Sequence, residues 1–152
     1  MQSSPACTVD YIDHVGIAVH DLEQAMSFFH DTFGAPLAQA HELADQGVRA
    51  CLIAIGQTRL ELLQPLSTDS PVGKFLERRG EGLHHLALHV ENVADSIEGL
   101  RGKGVQMIDL EPREGLSGII AFLHPRSAHG ILTELVQTAP QQALPEQNSP
   151  KG

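Results

Sequence analysis

The sequence predicts an α+β fold made of two tandem βαβββ modules whose mixed sheet curls around a cleft. Three observations predict it. The chain writes one strand twice, residues 11–20 and 82–90, each alternating apolar and other residues as a half-buried strand does. Each copy carries a histidine, His14 and His85, at an offset of 71 (85 − 14). At the same offset an amphipathic helix follows each strand, Leu22 falling on Val93, Met26 on Ile97 and Phe29 on Leu100. Each copy then closes on a similar strand, Leu60-Glu61-Leu62-Leu63-Gln64 and Thr133-Glu134-Leu135-Val136-Gln137, so that Glu follows His by 47 (61 − 14) and 49 (134 − 85) residues.

The first helix starts at Asp21, with Gln24 three residues on as a capping box, and stops at Gly34. After Ala35-Pro36 an extended segment through Ala38 leads to a polar turn at Asp45-Gln46-Gly47. Residues 48–55 read as a buried strand, Gly56-Gln57 as a hairpin turn and 59–63 as the return strand, and Pro65 ends module one, residues 11–66. Residues 70–80 form a connector helix, with Ser70 at the N-cap, Pro71 at the first helical position and Gly80 past its end. Module two, 82–137, repeats the order: strand 83–90, helix 93–102 with Gly104 as its C-cap, strand 105–108, a loop over 112–118, strand 119–123, a turn over 124–130 and strand 131–136. The helices are expected to cover the outside. One domain over 10–137 is predicted, and residues 1–9 and 138–152, polar and rich in Pro and Gln, read as flexible tails.

Composition narrows the function classes. A formal charge of −9 with ten scattered Lys and Arg argues against a nucleic-acid surface but not against small anionic ligands, which answer to local fields. No apolar run approaches membrane-spanning length and the first residues lack the pattern of a signal peptide, so no membrane partner is predicted. Cys7 and Cys51 make no spacing motif and read as reduced thiols in a cytoplasmic protein.

The duplicated His and Glu carry the chemistry. If they face inward, His14, Glu61, His85 and Glu134 meet at one place, and two imidazoles with two carboxylates suit a divalent cation: Co, Mn, Ni, Zn or Fe. A Glu set among large aliphatic residues on a strand needs a partner, since burying it alone costs several kcal/mol (about 2–7 for even an uncharged polar group). Strand alternation turns His84 away from His85, toward packing or a supporting hydrogen bond, and puts His20 and His89 on the surface. His124 and His129 flank the last turn, at the expected rim of the cleft.

The chain resembles the vicinal oxygen chelate superfamily and, within it, the methylmalonyl-CoA epimerase family. The resemblance rests on Ile12-Asp13-His14-Val15-Gly16-Ile17-Ala18-Val19, Leu60-Glu61-Leu62-Leu63-Gln64-Pro65, Asp69-Ser70-Pro71-Val72, Gly80-Glu81-Gly82-Leu83-His84-His85-Leu86-Ala87, Phe122-Leu123-His124-Pro125-Arg126-Ser127 and Gly130-Ile131-Leu132-Thr133-Glu134-Leu135. It implies a metal-dependent proton transfer at C2 of an acyl-CoA, interconverting the 2R and 2S forms of methylmalonyl-CoA, with Co²⁺ the first choice of ion and Mn²⁺, Ni²⁺ or Zn²⁺ as substitutes. The implied metal ligands are His14, Glu61, His85 and Glu134. Some relatives carry a base where this chain has Ala50, so Glu134 and Glu61 are the expected acid–base pair. The implied substrate contacts are Gly115, Ser117 and Gly118, in a loop that departs from the family's pattern, together with Arg126 and His129; Lys74 and Arg126 are candidates for the CoA phosphates. A homodimer is also implied. Two other readings use the same fold: a glyoxalase-I-like lyase acting on a glutathione hemithioacetal, and a non-catalytic small-ligand-binding protein.

Overall fold

The computed structural model describes residues 3–138. The elements are β1 (Val9–Ala18), α1 (Leu22–Phe33), β2 (His41–Leu43), β3 (Val48–Ile55), β4 (Thr58–Pro65), α2 (Pro71–Arg79), β5 (Gly82–Val90), α3 (Val93–Gly102), β6 (Arg113–Gly115), β7 (Gly118–Leu123) and β8 (Thr133–Gln137), with single 3₁₀ turns at Ala44–Gln46 and Pro125–Ser127. The strands form one mixed sheet in the order β2-β3-β4-β1-β5-β8-β7-β6. The first strands of the two modules, β1 and β5, pair antiparallel at its centre, and each takes its own module's last strand, β4 or β8, as a parallel neighbour. This arrangement is a pseudo-twofold.

The repeated helices start in the same way. Asp21 accepts a hydrogen bond from the Gln24 amide and Asn92 from the Asp95 amide, both at 2.9 Å, which satisfies one of the free N–H groups at each helix start. A second comes from the end of the same module: the Gln64 side chain accepts from the Leu22 amide at 2.9 Å and Gln137 from the Val93 amide at 3.0 Å. So the glutamine that follows each Glu-Leu-Leu or Glu-Leu-Val run ties the closing strand to the helix. Outside the sheet, α1 packs Leu22 onto Cys51, Ile53 and Leu62, and α3 packs Val93, Ile97 and Leu100 onto Ala121, Leu123 and Leu135.

The connector departs from the expected plan. Rather than covering the outside, α2 lays Val72 and Leu76 on Ala18, Val48, Ala50 and Leu63, the cleft side of module one. Alternation explains the choice: Leu63 shares a face with Glu61, while Leu62 faces α1. Two strands are also displaced. The edge strand of module one is His41–Leu43, beyond Ala38. In module two, residues 105–108 contribute only a bridge between Met107 and Leu123, because the Asp109 carboxylate takes the Phe122 amide at 2.8 Å and ends the ladder there. The edge strand β6 forms instead in the expected loop, Gly115 pairing with Gly118 around the turn Leu116-Ser117. At the N-terminus, Ala6 and Cys7 pack against the α3 cluster, and Gly99 allows it: a Cβ there would meet the Ala6 carbonyl oxygen at 2.0 Å. β1 begins at Val9, so residues 3–9 are not a loose tail; of the other expected tail, 139–152 lie outside the described residues.

Replacing Leu62, fully buried under α1, with Ala is expected to cost about 2–5 kcal/mol in urea unfolding, whereas Leu83→Ala, at a site 72% exposed, stays within about 0.5 kcal/mol.

Candidate metal centre and active site

The antiparallel register of β1 and β5 sets Gly16 across from His85 and His14 across from Ala87. Each imidazole therefore lies over a small residue of the opposite strand. At Gly16 the fit leaves no room for a side chain, since a Cβ would come within 2.2 Å of the His85 ring. The parallel register places Glu61 beside Gly16 and Glu134 beside Ala87. The four predicted residues thus converge, and all four are buried.

Their polar atoms are close. The two Nε2 atoms are 3.0 Å apart; His14 Nε2 lies 3.5 Å from Glu61 and 3.7 Å from Glu134, and His85 Nε2 lies 3.8 Å and 3.4 Å from the same carboxylates. His14, His85 and Glu134 each offer an atom within 4.8 Å of the other two, and Glu61 adds a fourth donor through its contacts with both imidazoles. Separations of this size are the edges of a polyhedron around one ion with bonds of about 2.0–2.2 Å. The donor set asks for such an ion, because burial pushes the Glu61 carboxyl upward and burial together with the Glu61 charge pushes Glu134 well above the ordinary range. Burial and the neighbouring His14 and His84 hold His85 well below its usual value, and so neutral. A cation would reverse the penalty on the carboxylates while using the imidazole lone pairs.

A bulge beside each imidazole supports it. In β1 the register slips between Ile12 and His14, leaving Asp13 as the extra residue; in β5 it slips between Leu83 and His85, leaving His84. Asp13 accepts from His14 Nδ1 at 2.7 Å and is itself gripped by Arg59 Nη2 at 2.7 and 2.9 Å. Burial would raise the Asp13 carboxyl, but the His14 hydrogen bond and the Arg59 charge outweigh it and keep it ionised. With an ionised acceptor on Nδ1, His14 presents its lone pair at Nε2. At the equivalent position His84 Nδ1 lies 3.0 Å from His85 Nδ1, and burial pulls His84 down to about 4, leaving it neutral and able to accept the His85 proton. The expectation that His84 faces away from His85 is therefore corrected: the bulge cancels the alternation, and the supporting hydrogen bond is what remains of that reading.

The centre opens into a cavity of about 470 Å³, lined on one side by Asp45, Gln46 and Ser70 and on the other by His84, Arg113 and Phe122. The Arg113 guanidinium lies 5.6 Å over the Phe122 ring, whose edge meets His85 at 5.6 Å. The other predicted substrate contacts are placed differently. Gly115 and Gly118 form the β6–β7 hairpin, which leans across the cleft: Leu116 packs on the inner cluster of module one, and Gln46 donates to the Glu114 carbonyl at 3.1 Å. Ser117 is buried, and its hydroxyl has no partner among the described residues. Arg126 and His129 are exposed and do not line the cavity, and His124 accepts from the Arg126 amide to cap a 3₁₀ turn. His20 is exposed, and His89 stacks on Tyr11. Sequence reasoning missed Gly16, Asp13, Arg59 and Arg113; a glycine in mid-strand was the available signal for the first.

Residues 13–122 match the Glyoxalase/Bleomycin resistance protein/Dioxygenase superfamily. The chain belongs to that superfamily. Within it, the chain is similar to several epimerases of acyl-CoA esters. The mitochondrial methylmalonyl-CoA epimerase of Mus musculus is 36% identical over 138 residues, 90% of this chain and 78% of that protein. The ethylmalonyl-CoA/methylmalonyl-CoA epimerase of Cereibacter sphaeroides is 36% identical over 83% of this chain and 96% of its own length. A solved methylmalonyl-CoA epimerase, in complex with methylmalonyl-CoA and NH4+, superposes with a TM-score of 0.84 at 41% identity, covering 88% of this chain and 97% of the other. A lactoylglutathione lyase of Arabidopsis thaliana is more distant, 24% identical and matched over 44% of its length.

Gly16→Ala should displace the His85 ring and lower cation affinity by about tenfold or more, read by calorimetry on the apoprotein. Because both carboxyls hold protons more tightly than usual, cation binding near neutral pH should release protons and weaken as pH falls, seen as a buffer-dependent enthalpy of binding; pH-independent binding without proton release would contradict the assigned carboxylates.

Proposed function

We propose that this protein is a metal-dependent epimerase interconverting (2R)- and (2S)-methylmalonyl-CoA, with His14, Glu61, His85 and Glu134 as ligands and Co²⁺ as the preferred ion. The observation that carries the reading is the convergence of two imidazoles and two carboxylates, buried and without a protein cation among them, at the base of an open cavity. The C2 proton lies between a thioester and a carboxylate and is moderately acidic. A divalent cation in this site supplies positive charge where enolate charge accumulates on oxygen.

The protein's own residues supply the rest. Inverting a stereocentre needs proton exchange on both faces of a planar enolate, and the pseudo-twofold provides two carboxylates on separate strands, Glu61 on β4 and Glu134 on β8. One removes the C2 proton and the other returns a proton to the opposite face; reversing the roles runs the reaction backward. Position 50 cannot take part, since Ala50 is packed beneath α2. We assign Arg113 to the free carboxylate of the acyl group, because its guanidinium lines the cavity on the Phe122 side of His85. The free thiols of Cys7 and Cys51 support a reducing, cytoplasmic setting, and we read the assembly as a homodimer, a state that sedimentation equilibrium reads directly.

The decisive experiment is proton NMR of the Co²⁺-loaded protein with methylmalonyl-CoA in D₂O. Loss of the C2 proton with inversion is expected; no exchange with the ion bound would overturn the reading, and turnover of a methylglyoxal–glutathione hemithioacetal would replace it. Glu134→Gln should slow exchange by about 10²-fold or more while leaving measurable bound metal, and unchanged exchange would remove Glu134 from proton transfer.

A further inference from the structure

The chain carries ten Lys and Arg against nineteen Asp and Glu, yet three of the ten gather on one face of α2. Pro71, Lys74, Phe75 and Arg78 follow one another at the i, i+3, i+4, i+7 spacing of a helical face, with Arg79 beside them, while Val72 and Leu76 turn into the core. That face forms one wall of a groove of about 410 Å³. Pro125, Gly130 and Leu132, from the connection between β7 and β8, form the other wall. Pro71, His84 and Leu132 line both this groove and the metal-centre cavity, so the two are continuous.

The cations are available for a ligand. Among the described residues, the Lys and Arg ion pairs are those of Arg49, Arg59 and Arg113, and none involves Lys74, Arg78 or Arg79. Arg79 is steadied by the Phe75 ring, 5.7 Å from its guanidinium carbon, and Phe75 in turn meets the His84 ring at 4.9 Å. Charges at the helix C-terminus alone would explain Arg78 and Arg79 through the helix dipole. They do not explain Lys74, in the middle of α2 and outside its last turn.

We propose that this groove is the subsite for the polyanionic nucleotide end of the substrate, with Lys74, Arg78 and Arg79 neutralising its phosphate groups while the acyl end lies at the metal centre. The assignment rests on the acyl-CoA reading above and replaces Arg126, which lies outside the groove lining, with a cluster on the connector helix. It also gives α2 a reason to cross the cleft side of the sheet: the helix that closes module one onto its core carries the charges that hold the distal half of the substrate.

The test uses free CoA and pantetheine, which lacks the nucleotide, as calorimetric probes of the cation-loaded protein, wild type against the triple variant Lys74→Ser, Arg78→Ser, Arg79→Ser. All three side chains are exposed, and a thermal melt checks that the variant stays folded. CoA binding should weaken by at least about tenfold and lose most of its dependence on salt, with pantetheine binding unchanged. In turnover the KM for methylmalonyl-CoA should rise by a similar factor with kcat within about twofold of wild type. CoA affinity within about twofold of wild type, or an equal loss for pantetheine, would overturn the subsite. Because the probes need no turnover, a wild-type protein that binds CoA through these residues but exchanges no C2 proton keeps the subsite and loses the epimerase reading; exchange with CoA binding indifferent to the variant does the reverse.

Discussion

The antiparallel pairing of β1 with β5 is the constraint from which the rest of the molecule follows. It joins two modules, each with its own helix-covered cluster, into a single sheet, and it sets the register in which each histidine lies over the small residue two places beyond the other. Gly16 under His85 and Ala87 under His14 are therefore one device used twice. A slip of one residue would turn one module over relative to the other and put His85 and Glu134 on the opposite face of the sheet from His14 and Glu61. The parallel strands β4 and β8 then bring the carboxylates to the same point, because each pairs with the histidine strand of its own module.

The symmetry is used for geometry and broken for chemistry. Both histidines are supported at Nδ1 by the extra residue of a bulge, but one supporter is an ionised aspartate held by Arg59 and the other is a neutral, buried histidine. A carboxylate behind an imidazole makes it the more electron-rich donor. The two halves of the centre are thus electronically unequal, although each offers one imidazole and one carboxylate. The surroundings are unequal as well. The cleft side of module one is covered by α2, while module two contributes Arg113, Phe122 and the hairpin that reaches across.

Much of this was legible in the residues because duplication leaves a mark that one motif does not. A single His or a single Leu-Glu-Leu run says little, but the recurrence of both at nearly the same spacing identified His14, Glu61, His85 and Glu134 before any contact was known. The helices were legible for a local reason, since Asp21, Ser70 and Asn92 announce their starts through hydrogen bonds spanning only three residues. The edges of the sheet were not. Residues 105–108 carry a strand-like pattern, yet the outcome depended on whether the Asp109 carboxylate or a backbone carbonyl would take the Phe122 amide. His84 was misplaced because alternation assumes an unbroken ladder, and a bulge is a property of two strands together.

The sequence by itself determined the two-module α+β plan, the order of the helices and principal strands, and the four residues that converge, because these follow from local periodicity, capping and repetition. Only the tertiary structure decided which side of the sheet α2 covers, which residues stand behind the imidazoles, and which cations share a groove with the cavity. Those facts depend on pairs of residues far apart in the chain: Asp13 with Arg59, Gly16 with His85, Leu63 with Val72, and Lys74 across from Gly130. Their proximity is set by strand register and packing, which no local pattern in the chain records.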